Sequence, residues 1–318
     1  MQATTQPPLF QRLRDPRERQ LDRGFQWLTL IMASTVGFLL VGILWVIGSQ
    51  SRVAIGLYGL PFLFTSAWPP VEGTPTVGIW PMLSGTLVSS LLALLIAIPI
   101  GVGSAIFLSE NFLPKSLRSS LSLLIELLAA IPSVVYGLWG FAFLVPLLLG
   151  PQQWLYDHFN WLPIFSEPPQ GPGMIPAVLV LVIMVLPIIT SISKDALLQV
   201  PDELRQAAYG LGCTRWSVIF QVLLPAAISG IVGGIMLALG RAMGETMAVT
   251  LICGNSQQYT PSILAPANTI ASLIANEFAE ADGLQIEALM YAALVLMLST
   301  LVVNMLAQLI VRRLRLRY

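Results

Sequence analysis

Residues 228–252 read ISGIVGGIMLALGRAMGETMAVTLI, an apolar run long enough to cross a lipid bilayer as a helix. Arg241 stands near the middle of this run, and Glu245 follows it by four residues. An unpaired charge at the centre of a membrane costs about 2.5 to 3.5 kcal/mol on insertion scales. The run therefore indicates a membrane-spanning segment whose charges need either a partner or a function.

The composition excludes an ordinary soluble domain. Hydrophobic residues make up 56% of the 318 positions and charged residues 10%, against about 45–50% and about 25% in soluble proteins. The apolar runs do not alternate in polarity, as the strands of a membrane β-barrel do. We therefore predict an all-α polytopic membrane protein with six transmembrane helices, at about 26–49, 82–108, 119–149, 174–193, 218–252 and 286–311.

The third and fifth of these spans exceed the roughly 20 residues that a straight span needs, so we expect them to tilt or to bend. Proline removes a backbone donor and clashes with the preceding helical turn. Pro132 and Pro146 in the third span and Pro225 in the fifth are therefore the predicted break points.

The basic residues fall almost entirely on one side of the predicted spans. There are sixteen lysines and arginines. Fourteen of them lie before the first span or directly after the second, fourth or sixth span, and only Arg52 lies on the other side. The positive-inside rule then places both termini in the cytoplasm. The predicted organisation is a cytoplasmic tail at 1–25, a first span at 26–49 with a periplasmic loop at 50–81, a five-helix core at 82–311 that contains a cytoplasmic segment at 194–217, and a basic tail at 312–318.

The loops on the opposite side, at 50–81, 150–173 and 253–285, are rich in proline, glycine, tryptophan and acids. Four tryptophans are predicted to anchor the chain at the lipid headgroups, namely Trp68, Trp80, Trp154 and Trp161. The only histidine, His158, also lies here, and we expect a surface residue rather than a metal ligand.

The segment between the fourth and fifth spans is predicted to hold a short helix. Pro201, followed by acids at 202 and 203, suits the first turn of a helix and its positive dipole end. The glycines at 210 and 212 suit its C-terminal cap, and Thr214 offers an N-cap for the helix that follows. Such a helix either lies on the membrane surface or docks a partner.

This segment resembles the EAA motif of ABC importer permeases. The matching positions are Gln206, Ala207, Ala208, Gly212, Leu224 and Pro225. Gln206 replaces the usual glutamate and Val222 the usual isoleucine. In that family the motif forms a coupling helix that docks into a groove of the nucleotide-binding subunit, and the resemblance implies the same role here. Glutamine keeps the length and hydrogen-bonding capacity of glutamate.

Two further stretches narrow the resemblance. The stretches IPSVVYGLWG at 131–140 and GRAMGETMAV at 240–249 are similar to the PstC-type permeases of bacterial phosphate importers, over a region from about residue 80 to the C-terminus. The resemblance implies a type I ABC importer permease (MetI-like) fold in the bacterial inner membrane. It also implies a translocation path shared with a PstA-like sister permease. The other implied partners are two copies of a PstB-like ATPase, a PstS-like periplasmic phosphate-binding protein and membrane lipid. No nucleic acid is expected to bind.

The chain itself lacks the residues for ATP hydrolysis. It contains no G-x4-G-K-[S/T] loop, and its two lysines stand outside glycine-rich loops. One loop histidine supports no catalytic set. We therefore predict a translocation subunit that is not an enzyme and binds no cofactor, with ATP and Mg²⁺ held by the partner ATPase.

Arg241 is the predicted centre of the substrate path. A guanidinium stays charged and donates paired hydrogen bonds to tetrahedral oxyanions. Glu245, one helical turn away, is placed to pair with it when no anion is present. The other predicted path residues are Thr246, Glu126 and Ser133. Each assignment has an alternative. Arg241 and Glu245 could form a buried charge pair that only fixes helix packing. Glu126 could be a solvated residue at a helix end, and the hydroxyls of Ser133 and Thr246 could serve only contacts between helices.

Two glycine pairs are spaced for close helix contacts. Gly230 and Gly234 lie four residues apart in the predicted fifth span, and so do the glycines at 240 and 244. Small residues at this spacing let two helices approach closely. We expect packing contacts, either within the chain or at the seam with a sister permease.

Three alternatives for function stay open. Sulfate and molybdate are also tetrahedral oxyanions, so electrostatics alone does not select phosphate. An ion-coupled secondary carrier would use Arg241 and Glu245 as a relay and would need no ATPase. A regulatory scaffold would use the cytoplasmic segments to recruit a signalling partner.

Overall fold

The computed structural model describes residues 16–70, 76–110 and 112–315, with side chains over 21–70, 76–110 and 112–309. The outermost parts of the predicted tails, at 1–15 and 316–318, lie outside the described residues. The chain divides into two compact units, with the boundary between Ser49 and Gln50. The first unit contains the helix α1, which spans Pro16–Gln50 and so ends at the first residue of the second unit. No β-strand occurs in the described ranges, where one isolated bridge joins Gly254 to Ala267.

The second unit is built from twelve described α-helices. They are α2 (Arg52–Tyr58), α3 (Trp80–Ser109), α4 (Lys115–Ala130), α5 (Ser133–Trp139), α6 (Val145–Phe159), α7 (Met174–Leu198), α8 (Asp202–Gly210), α9 (Arg215–Val218), α10 (Leu224–Met243), α11 (Met247–Ile252), α12 (Ile270–Glu277) and α13 (Gly283–Arg315). Two π-helical turns, Gly140–Leu144 and Ile219–Leu223, join α5 to α6 and α9 to α10.

Six described helical stretches are long and apolar enough to cross a membrane, which confirms the predicted number of spans. They are Leu21–Gln50, Trp80–Ser109, Ser133–Phe159, Met174–Leu198, Arg215–Met243 and Gly283–Leu309. The chain is therefore a multi-pass membrane protein. Segments between spans two and three and between spans four and five lie on one side of the membrane, and α8 belongs to that side.

The predicted break at Pro132 is confirmed, and it makes the predicted bounds of the third span, 119–149, wrong. α4 ends at Ala130, and Ile131 adopts an extended conformation with φ −69° and ψ 128°. A residue before proline is disfavoured in the helical region, and the extended conformation of Ile131 ends the helix at this point. The carbonyl of Leu128 accepts from the N–H of Ile131 at 3.3 Å and from the Tyr136 hydroxyl at 2.9 Å, so α5 is bonded to the last turn of α4. The span itself begins at Ser133, and α4 is a separate helix beside α7.

The predicted breaks at Pro146 and Pro225 are also wrong, for one shared reason. Each proline occupies the second position of an α-helix that directly follows a π-helical turn. The wider turn changes the hydrogen-bonding register just where the proline lacks an N–H. The third and fifth spans therefore pass through their prolines as continuous helices.

α7 lies at the centre of the second unit, between α3 and α10. Its apolar window is 61% buried, more than that of any other described span. Glycines allow the close approach: a Cβ on Gly101 would stand 2.8 Å from Ile189 Cγ2, and one on Gly234 would stand 3.0 Å from Ile192 Cβ. The pair Gly230 and Gly234 thus packs on α7 within the chain.

The segment after the first span packs on the core of the second unit. The rings of Phe62 and Tyr291 stack with centroids 4.5 Å apart, and the Tyr291 hydroxyl donates to the carbonyl of Gly59 at 3.0 Å. Trp68 is buried here and bonds Glu277, so its predicted role as a headgroup anchor is wrong. Trp154 and Trp161 remain exposed, as anchors would be.

Candidate functional site

The fifth span ends in a helix break beside Arg241. α10 ends at Met243, residues 244–246 leave the helix, and α11 begins at Met247. The predicted span at 218–252 is therefore two helices rather than one. Because the break falls between them, Arg241 and Glu245 do not share the face of one continuous helix.

Glu245 caps the second helix instead of pairing with the arginine. Its carboxylate Oε1 accepts a hydrogen bond from the backbone N–H of Ala248 at 3.2 Å, and the residue is buried. The first N–H groups of a helix lack internal partners and favour a negative charge. Among the described residues Glu245 forms no ion pair with Arg241. The predicted pairing at i,i+4 spacing is absent for this reason.

Arg241 is exposed in an open cleft of about 650 Å³. The cleft is lined by Ile188, Met236, Leu237, Gly240, Arg241, Gly244, Glu245 and Asn304. These residues come from α7, from the end of α10 with the break after it, and from α13. A water molecule occupies about 30 Å³, so the cleft has room for an anion that keeps part of its hydration shell. Among the described residues that line the cleft, Arg241 is the only one with an exposed charge.

Close packing holds α11 in position after the break. A Cβ on Gly137 would stand 3.0 Å from the Cα of Ala248, and one on Gly140 would stand 2.9 Å from Val180 Cγ2. A larger residue at either position would require the neighbouring atoms of α11 or α7 to shift. The glycines of the stretch at 131–140 therefore let α5 support the broken helix.

A polar network ties α11 to α12. The Thr250 hydroxyl donates to the carbonyl of Thr246 at 2.8 Å and lies 2.9 Å from the Ser272 hydroxyl. The Ser272 hydroxyl donates to Asn255 Oδ1 at 2.8 Å, and Asn255 Nδ2 donates to the carbonyl of Thr250 at 2.9 Å. Asn255 has φ 52°, a conformation that asparagine tolerates better than most residues. Such closed networks hold the break in one arrangement.

The remaining predicted path residues lie away from the cleft. Thr246 donates from its hydroxyl to the carbonyl of Gly244 at 3.2 Å, within the break itself. Ser133 begins α5 and is half-buried. Glu126 lies on the exposed part of α4, beside a small crevice that also includes Lys194. Of the five predicted path residues, the structure brings only Arg241 and Glu245 to the cleft.

Asn304 is a cleft residue that the sequence reasoning missed. It lies on α13, and its Oδ1 is buried without a hydrogen-bond partner. An amide in an apolar span is costly unless it is bonded or faces a polar space. The asparagine between Val303 and Met305 was a visible signal in the sequence.

The predicted helix between spans four and five is present as α8, with the predicted caps. The N–H of Cys213 donates to the carbonyl of Ala208 at 3.1 Å, and that of Gly212 donates to the carbonyl of Tyr209 at 3.0 Å. Gly212 has φ 83°, which only glycine adopts at little cost. This is a Schellman cap. The predicted N-cap is also confirmed, because the N–H of Ser217 donates to Thr214 Oγ1 at 3.3 Å.

The EAA-like motif has an inner and an outer face. Ala208 is buried in a cluster with Leu197, Val218 and Leu223, whereas Gln206 and Ala207 are exposed. Leu224 and Pro225 are half-buried at the start of α10. Three large apolar side chains of the same segment are also exposed, namely Leu204, Tyr209 and Leu211, and Leu211 reaches 85%. Exposed apolar surface beside small residues is typical of a protein docking face.

Within the described ranges no group of three histidine, cysteine or acidic side chains could hold a metal ion.

Comparison with known proteins places the chain among transport permeases. Residues 97–316 match the family described as binding-protein-dependent transport system inner membrane component. The chain is 40% identical over 309 residues to the phosphate transport system permease protein PstC of Xylella fastidiosa, covering 95% of this chain and 94% of that protein. It is 44% identical over 294 residues to the PstC protein of Pasteurella multocida, covering 91% of each.

A solved structure has the same fold. One chain of a bacterial ABC transporter involved in the import of the acidic polysaccharide alginate superposes with a TM-score of 0.62 at 17% identity, over 94% of this chain and 99% of that chain. At this identity the likeness concerns the fold alone. It confirms the predicted type I ABC importer permease architecture.

Proposed function

Because the chain belongs to the family of binding-protein-dependent transport system inner membrane components, and within it to the PstC-type permeases, we propose that it is the permease subunit of an ATP-driven phosphate importer. The observation that carries this proposal is Arg241, exposed in a cleft at a helix break and not ion-paired with Glu245, which caps α11. An anion that enters the cleft meets an exposed guanidinium, while the carboxylate of Glu245 in the cleft wall is buried and accepts from the backbone N–H of Ala248.

The chemistry of Arg241 suits a tetrahedral oxyanion. Its planar guanidinium donates paired, charge-assisted hydrogen bonds and stays ionised at any physiological pH. The cleft is open and contains one exposed cation, so binding there is weak enough for release. Arg241 acts as a transient partner during alternating access rather than as a storage site.

The chain forms half of the path. One wall of the cleft comes from α7, α10 and α13 of this chain, and a PstA-like sister permease supplies the opposite wall. A PstS-like phosphate-binding protein delivers phosphate from the periplasm. Both termini and α8 lie in the cytoplasm, and the protein resides in the bacterial inner membrane, in line with the distribution of its basic residues.

ATP hydrolysis belongs to a partner. The sequence has no P-loop, so two PstB-like ATPase subunits bind ATP and Mg²⁺ and dock on the exposed face of α8. Ala207 allows close approach, and the apolar side chains at 204, 209 and 211 contribute buried area on docking. Movement of the ATPases then moves α8 and alternates the access to the cleft.

The test is phosphate uptake into proteoliposomes that contain the assembled complex and the binding protein. We expect radiolabelled phosphate to accumulate only with ATP, and excess unlabelled phosphate to compete better than sulfate or molybdate. Uptake at the same rate without ATP would contradict the proposal and favour a secondary carrier. Equal competition by sulfate would reassign the substrate.

A further inference from the structure

Arg205 of α8 joins three helices at one point. Its Nη1 lies 3.2 Å from Oε1 of Glu110, the residue that ends α3. Its Nη2 donates a hydrogen bond at 2.9 Å to the carbonyl of Leu197, in the last turn of α7. The side chains of Arg205 and Glu110 are only 18% and 8% exposed. One side chain of the short helix α8 therefore holds the ends of two membrane spans.

The electrostatics of this point favour a cation. The C-terminal end of a helix carries a partial negative charge, and α3 and α7 both end here. Glu110 adds a full negative charge at the end of α3, where the helix dipole alone would oppose it. The contact between Arg205 and Glu110 has the distance of an ion pair without the angles of a hydrogen bond. Its attraction is therefore mainly Coulombic and tolerates small displacements.

The helices held by Arg205 also form and support the cleft. α7 carries Ile188 into the cleft, and Leu197 lies further along the same helix. α7 packs closely on α3 at Gly101 and on α10 at Gly234. Packed helices of this kind move as units, since their interfaces leave no free space. A displacement of α8 thus reaches the cleft by contacts that are all within this chain.

Other contacts of α8 are poorly suited to this role. Asp202 lies 3.9 Å from Arg205 Nε, but its side chain is 80% exposed, and water screens such a pair. Ala208 contributes small apolar contacts without direction. Among the described contacts of α8, those of Arg205 combine a buried charge pair with Glu110 and a directional hydrogen bond to Leu197.

We propose that Arg205 is the positioning residue that transmits the movement of α8 to the spans around Arg241, with Glu110 as its fixed counterpart on α3. This inference rests on the proposed function, because it requires a partner ATPase that moves α8. Arg205 does not line the cleft around Arg241, and its charged group bonds inward to Glu110 and Leu197 at the border of the exposed face of α8. Replacement of Arg205 should therefore uncouple ATP hydrolysis from phosphate transport. The ATPase should still bind, and Arg241 should still recognise the anion.

Arg215 offers a matched control. It lines the same shallow cleft as Arg205, together with Glu110, Asp202, Gln206 and Tyr209. Its guanidinium stacks over the ring of Phe112 at 3.7 Å from the centroid, and no ion pair to it occurs among the described residues. Arg215→Met removes the same charge from the same region without touching Glu110 or Leu197.

The experiment compares Arg205→Met, Arg205→Lys, Glu110→Gln and Arg215→Met in the full complex with its binding protein. ATPase co-purification, ATP hydrolysis and phosphate uptake are measured on the same preparations. We expect Arg205→Met to keep the ATPase bound and to lower phosphate transported per ATP by about tenfold, inside the usual range of coupling between two sites. Arg205→Lys and Glu110→Gln should lower the ratio less, and Arg215→Met should leave it unchanged.

The outcomes separate this inference from the proposed function. If the unmodified complex takes up phosphate without ATP, the proposed function fails. If the unmodified complex is coupled and Arg205→Met and Glu110→Gln keep its ratio, the inference on Arg205 is overturned. Loss of the ATPase from Glu110→Gln would overturn it as well, because the buried pair would then serve docking. If Arg205→Met does not assemble, the ratios of Arg205→Lys and Glu110→Gln decide: a lower ratio supports the inference, and an unchanged ratio overturns it.

Discussion

The indole Nε1 of Trp68 donates a hydrogen bond of 2.7 Å to the carboxylate of Glu277, across 209 positions of sequence. The same carboxylate accepts from Gln257 Nε2 and from Gln285 Nε2, each at 3.0 Å. Glu277 therefore joins four segments: the loop after the first span, the loop after α11, the end of α12 and the start of α13. This junction lies on the side of the membrane opposite α8.

Replacement of Glu277 should destabilise the fold. Glu277→Ala leaves three donors without their acceptor. A hydrogen bond to a charged group contributes about 1.5–3 kcal/mol to the free energy of unfolding. We expect a loss of about 2 kcal/mol of unfolding free energy, seen as a lower thermal midpoint in detergent. Glu280→Ala, at an exposed position nearby, is the control. Equal midpoints for the two variants would show that the junction does not stabilise the fold.

Gly230 and Gly240 of α10 should respond differently to alanine. A Cβ on Gly230 would clash with Ala196 of α7, whereas no atom lies within 4 Å of a Cβ on Gly240. Overpacking costs about 1–3 kcal/mol, and alanine in an open helical position gains about 0.5–1 kcal/mol over glycine. Gly230→Ala should lower the thermal midpoint, and Gly240→Ala should keep or raise it. The reverse order would contradict the assignment of Gly230 to the contact with α7.

The exposed face of α8 should control ATPase binding. Ala207→Glu adds a bulky charge to a surface proposed for docking, so the ATPase should no longer co-purify, while the thermal midpoint of the permease stays unchanged. Gln206→Glu restores the residue usual in the EAA motif and should retain the ATPase. If the ATPase co-purifies normally with Ala207→Glu, the exposed face of α8 does not bind the ATPase.

Glu245 should tolerate the loss of its charge better than the loss of its acceptor. Glu245→Gln keeps an oxygen for the N–H of Ala248, whereas Glu245→Ala removes the cap at a cost of about 0.5–2 kcal/mol. We expect uptake and thermal stability to fall further with alanine than with glutamine. If both variants lose uptake equally while their stability is unchanged, the carboxylate charge itself serves transport.

Local signals in the sequence predicted local structure well. The caps of α8 at Gly212 and Thr214 depend on neighbouring residues, and both are present. The number of spans follows from the length and composition of the apolar runs, and it is confirmed. Pro201, the acids after it and the glycines at 210 and 212 predicted a helix at α8, but only the tertiary structure distinguishes its inner face from its outer face.

Features that depend on distant residues were missed or misplaced. The helix break after Met243 is held by Asn255, Ser272 and the third span, which no local pattern reveals. The ion pair of Arg205 with Glu110 joins residues far apart in sequence. Helical spacing alone suggested that Arg241 and Glu245 pair, and it failed because it assumed an unbroken helix.

Phosphate uptake by Arg241→Gln in the assembled complex tests directly whether Arg241 is the transient partner of phosphate. Charge-assisted hydrogen bonds contribute about 1.5–3 kcal/mol, so uptake should fall by at least about tenfold, with ATPase co-purification and thermal midpoint unchanged. Arg241→Lys, which keeps the charge but not the paired geometry, should retain part of the activity. Phosphate uptake at the unmodified rate in an assembled Arg241→Gln complex would contradict the account.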